Sequence, residues 1–101
     1  MITSKQRAFL RSMANDIDTI LMIGKSGIGS DIITQADGAL TAREILKAKV
    51  LETAPVSAKE AGEQIAEQTN AELVQVIGSK FVLYRRNTKE PKITLPKAPK
   101  K

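Results

Sequence analysis

The chain contains no cysteine, no histidine and no tryptophan. Without cysteine there are no thiol nucleophiles and no disulfides, and without histidine there are no imidazole general bases and no Ser-His triads. Zinc fingers lose both of their usual ligands. Aromatic residues make up 3% of the chain and reduce to Phe9, Phe81 and Tyr84. Both phenylalanines fall at apolar positions expected in the core, so a base-stacking platform of several exposed rings is not available. No run approaches the roughly 18 apolar residues of a membrane span, and Met1 to Arg7 is too polar for a secretory signal. These absences predict a cytoplasmic, soluble protein that is not an enzyme, with no cofactor, metal or small-molecule substrate.

What is present is basic charge, unevenly placed. The 101 residues carry a formal charge of +5, which favours a polyanionic partner. From Ser79 onward Lys80, Arg85, Arg86, Lys89, Lys92, Lys97, Lys100 and Lys101 face a single acid, Glu90, whereas Ala58 to Glu72 is mainly acidic. Two faces of opposite sign are expected. The length suits one domain with a modest core.

Local patterns predict seven elements. Thr3 with Gln6 is a capping box, and Phe9, Leu10, Met13 and Ala14 recur at helical spacing, so a helix runs from about Ser4 to Ala14 with Arg7 and Arg11 facing solvent. Thr19 to Ile23 reads as a buried strand. A second helix is capped by Gly29 or Ser30, with Ile32, Ile33, Ala36, Ala39 and Leu40 along one face. A strand over Ile45 to Leu51 puts Lys47 and Lys49 on one wet side, with Leu46, Ala48 and Val50 on the other. Ser57 and Glu60 form a second capping box for a helix ending near Gln68, with Glu60, Glu63 and Glu67 exposed. Leu73 to Ile77 and Phe81 to Arg85 are strands joined by a short glycine-led hairpin.

The order αβαβαββ defines an α/β fold, a single compact domain over 1–86. Its four-stranded mixed sheet is covered by helices, since strand–helix–strand units give parallel neighbours and a hairpin adds an antiparallel pair. At 87–101 the composition turns to Lys, Pro and Thr, with Pro91, Pro96 and Pro99, and a flexible basic tail is expected.

Gly24-Lys25-Ser26-Gly27 lies between the first strand and the second helix. Two glycines allow a tight turn and close backbone approach to a ligand, a helix start offers unpaired N–H groups, and Lys25 adds a mobile charge. Such a loop suits a phosphodiester backbone, although a plain strand-to-helix turn uses glycines in the same way. A nucleotide-hydrolysing P-loop does not fit: Thr19 stands where its first glycine belongs, and no later strand ends in a magnesium-binding aspartate. Arg7 and Arg11 read equally as solvated helix charges, and Lys47 and Lys49 as blockers of strand-edge pairing.

The blocks Thr3 to Arg7 with Leu10-Arg11, Ile23 to Gly27, Leu73 to Gly78, and Phe81 to Arg85 together resemble the YhbY-type proteins of the CRM domain family (chloroplast RNA splicing and ribosome maturation), over about residues 2 to 86. The resemblance implies RNA binding during assembly of the large ribosomal subunit in bacteria, without catalysis. Its GxxG loop corresponds to Gly24, Lys25, Ser26 and Gly27, and its basic first helix to Lys5, Arg7 and Arg11. With Lys47, Lys80 and Arg85 these make up the expected RNA-binding set of a monomer. The rival expectation is a ribosome-associated protein–protein adaptor that touches RNA incidentally.

Overall fold

The computed structural model describes residues 3–86. The tail expected at 87–101 lies outside the described residues. The elements are α1 (Ser4–Ala14), β1 (Leu21–Ile23), α2 (Ser30–Arg43), β2 (Ile45–Val50), α3 (Ala58–Thr69), β3 (Glu72–Ile77) and β4 (Lys80–Tyr84), in the expected order. Both capping boxes form. The Thr3 hydroxyl accepts from the Gln6 N–H at 3.1 Å and the Gln6 side chain accepts from the Thr3 N–H at 2.9 Å. Ser57 and Glu60 repeat the exchange at 3.2 Å each way. Satisfying two orphan donors reciprocally fixes where α1 and α3 begin.

The strand order is β1-β2-β4-β3. β1 runs parallel to β2, while β2 with β4 and β3 with β4 are antiparallel, so the sheet is mixed. Period-two alternation sends Leu46, Ala48, Val50, Phe81 and Leu83 to one face, where they meet Ala36 and Leu40 of α2 and Ala58, Ala61 and Ile65 of α3. Ile45, Val82 and Tyr84 point the other way, and with Val74 they meet Leu10 and Ala14 of α1. Three layers result, two helices on one face and one on the other. The α3 helix lies very close to the sheet: a Cβ placed on Gly62 would come 2.7 Å from Leu73 Cδ1 and 3.2 Å from Phe81 Cδ1. Glycine at 62 sets that spacing.

Several expectations change. The first strand is shorter than Thr19 to Ile23 and is an edge strand, so Leu21 and Ile23 are buried but Met22 is 58% exposed. Phe9 is 37% exposed instead of buried, because the stripe that α1 lays on the sheet centres on Leu10 and Ala14. The lysine-bearing face of β2 is wet only in part, since α1 covers the Ile45 end of it.

Candidate nucleic-acid interface

The glycine segment is a tight turn in which the Gly27 N–H donates to the Gly24 carbonyl at 2.9 Å. Gly27 has φ 70°, in the left-handed region, and a Cβ there would sit 3.1 Å from Pro55 Cγ. The second glycine is therefore demanded both by dihedral and by the close pass over Pro55. Ile28 packs on the core and anchors the far side of the turn. Lys25 and Ser26 are left exposed at the tip. Beyond it, Gly29 caps α2 without a side-chain hydrogen bond of its own, and the Asp31 carboxylate of the first turn lies close by, 3.1 Å from where a Cβ on Gly29 would stand.

Register decides what surrounds this turn. Met22 pairs with Lys49, Lys49 with Lys80, and Lys80 with Ile77, which makes one row across all four strands. Lys25 is three residues beyond Met22, so the turn hangs off the same end of the sheet as Lys49 and Lys80. A cleft of about 140 Å³ continues from this row toward α1, lined by Asn15, Lys47, Gln75, Ile77 and Lys80.

Other members of the expected set lie elsewhere. Arg7 does not face solvent: its Nη1 donates to the carbonyls of Leu73 at 2.6 Å and Val74 at 3.0 Å, where β3 carries a bulge. Arg7 and the glycine turn sit at diagonally opposite corners of the sheet, roughly 20 Å apart at the usual strand spacing and rise. Arg85 is held by the Asp37 carboxylate at 2.6 Å, the Asp37 carbonyl at 3.0 Å, the Thr69 carbonyl at 2.9 Å and the Thr41 hydroxyl at 2.7 Å. The Lys47 ammonium donates to the Ala14 carbonyl at 3.0 Å and tethers the end of α1. Lys5 and Arg11 are exposed on α1. The structure thus brings Lys25, Ser26 and Lys80 together at one end and assigns Arg7, Arg85 and Lys47 to internal contacts.

Sequence reasoning noticed Lys49 only as an alternating partner of Lys47 and left Met22 and Ile77 out. The alternation was a usable signal for Lys49. The row itself depends on strand pairing, which no local pattern encodes. Charge also separates in part by layer, with Asp31, Asp37, Glu60, Glu63 and Glu67 exposed on α2 and α3 and Lys47, Lys49 and Lys80 on the opposite face of the sheet. Near the other end, burial, with the Glu44 carboxylate beside it and bonded to it, pushes the Tyr84 phenol above its ordinary value, partly opposed by Arg86.

A lysine-bearing half-sheet beside a glycine turn with an exposed, charged tip gives this small α/β domain a basic surface at one end. Residues 2–85 match the CRS1 / YhbY (CRM) domain, and the chain belongs to that family. The Bacillus subtilis protein named "Probable RNA-binding protein YqeI" is 36% identical over 96 residues, covering 95% of this chain and 100% of that protein. A Haemophilus influenzae protein named "RNA-binding protein" is 31% identical over 96 residues, covering 95% of this chain and 96% of its own length. The solution structure of SAV1595 from Staphylococcus aureus superposes with a TM-score of 0.79 at 46% identity, covering 95% of this chain and all of that one. No helix among the described residues is long and apolar enough to cross a membrane.

Proposed function

We propose that this chain is an RNA-binding protein whose task is assembly of the large ribosomal subunit, acting as a monomer on precursor ribosomal RNA. The observation that carries the reading is the Gly24–Gly27 turn, whose tip residues Lys25 and Ser26 are exposed on the same sheet end as Lys80 while Gly27 is tucked under Pro55. Bare backbone can approach a phosphodiester closely there, and Lys25 supplies the charge. Family membership supports the partner class, since the relatives are named for RNA binding. Lys5 and Arg11 add attraction from α1. Arg7, Lys47 and Arg85 act chiefly by holding the scaffold. Recognition by charge and shape makes affinity fall steeply with salt.

The test is the charge reversal Lys25→Asp combined with the added acid Ser26→Asp. Both side chains are exposed, so the fold should persist. Binding to a fluorescein-labelled transcript of large-subunit ribosomal RNA at moderate salt should weaken about tenfold or more, as expected when a phosphate contact becomes a repulsion. Unchanged affinity in a folded variant removes the turn from the interface.

A further inference from the structure

Resting on that reading of the glycine turn, we infer that the uncovered half of the sheet is a second RNA contact. A single strand leaving the turn crosses the row Met22–Lys49–Lys80–Ile77, with its phosphates on the two lysines. The first argument is an unfavourable pairing that the fold retains. The Val50 N–H donates to the Ser79 carbonyl at 2.7 Å, which makes Lys49 and Lys80 the adjacent non-hydrogen-bonded pair, the closer kind, with Cα atoms about 4.5 Å apart. Like charges directly opposite each other destabilise a sheet. Among the described residues neither lysine has an ion-pair partner. A local rule broken without compensation among the described residues points to a compensating charge from beyond them.

The second argument is what flanks the pair. Met22 is 58% and Ile77 60% exposed, the two most exposed large apolar side chains among the described residues. They stand at either end of the row, which spans about 14 Å at normal strand spacing. That arrangement offers cationic contacts in the middle and apolar contacts at the margins, which suits a nucleotide strand with phosphates and unpaired bases.

The third argument is direction. The opposite exit from the turn, between α2 and α3, is lined by Gln64, Glu67 and Gln68. A phosphate leaving that way meets a carboxylate, whereas one leaving over the sheet meets two ammonium groups. The strand therefore passes over the lysine face.

The experiment compares three double variants, including the Lys25→Asp, Ser26→Asp protein, on the same fluorescein-labelled transcript across a salt series. Lys49→Gln with Lys80→Gln should bind about tenfold more weakly at moderate salt, and the slope of log affinity against log salt should flatten by about 1.4, that is, 0.7 for each single-strand phosphate lost. Met22→Ser with Ile77→Ser should weaken binding while leaving the slope as it is. If the glutamine variant keeps the parental affinity and slope while the Lys25→Asp, Ser26→Asp variant loses affinity, the strand does not cross the sheet and only the turn is the site. If the glutamine variant and the Lys25→Asp, Ser26→Asp variant both bind like the parent, the functional reading falls as well.

Discussion

At the end of the sheet where Ile45, Tyr84 and Glu72 pair, the neighbouring arginine is consumed internally. Arg85 bridges Asp37 and Thr41 of α2 to the Thr69 carbonyl at the end of α3. At the end where Met22, Lys49, Lys80 and Ile77 align, two lysines pair across the strands with no ion-pair partner among the described residues. The contrast follows partly from side-chain chemistry. A planar fork of donors can satisfy several carbonyls at once, whereas a lysine on a flexible stem remains a mobile point charge. Counting basic residues says little about partners; what each cation already touches says much more.

The most damaging way to test this contrast is at the arginine end. Arg85→Ala deprives the Thr69 carbonyl and the α2 contacts of their donor and should lower unfolding free energy by about 2 kcal/mol, the usual scale for hydrogen bonds to a charged group. Urea denaturation measures it, and the fraction that stays folded should bind the ribosomal transcript with near-parental affinity. A large loss of RNA affinity in that folded fraction would blur the division between the two ends.

At the lysine end the sign reverses. Lys49→Gln or Lys80→Gln relieves the cross-strand repulsion and should raise stability by a few tenths of a kcal/mol, shrinking as salt screens the pair. A urea midpoint that falls instead would mean the lysines stabilise the sheet, and the contrast with Arg85 would disappear.

The smallest effect concerns Tyr84. With its phenol held above the ordinary value by burial and then by Glu44, the folded chain keeps that proton after the unfolded chain has released it. Its contribution is complete below about pH 10 and is lost as pH rises through the folded value. Tyr84→Phe should therefore give a flatter decline in urea midpoint above about pH 10 than the parent shows. Parallel declines would sink the assignment.

The legible parts of the fold were those written in neighbouring residues. Capping residues three apart marked α1 and α3, alternation marked β2, and a glycine-led gap marked the hairpin, because each depends on hydrogen bonds or side-chain direction within a few positions. The less legible parts depended on what lies across the molecule. Met22 was grouped with a buried strand because an edge position is a property of the whole sheet. Arg7 read as solvated because the bulge at Leu73 to Gln75 that turns carbonyls toward it has no marker in α1. At the candidate site the turn was plain from Gly24 and Gly27. The Lys49–Lys80 pair was hidden, since it exists only through the register of two strands thirty residues apart.

The Arg7 contact has one more effect. β3 borders the sheet, and a straight border with free acceptors would invite a strand from another molecule to stack on it. Here the guanidinium already answers the Leu73 and Val74 carbonyls at the irregular stretch, so an incoming copy would have to evict an intact side chain before bonding to either of them. Fibre-like growth starting from that stretch is hindered by a residue sixty-six positions upstream of the border it guards.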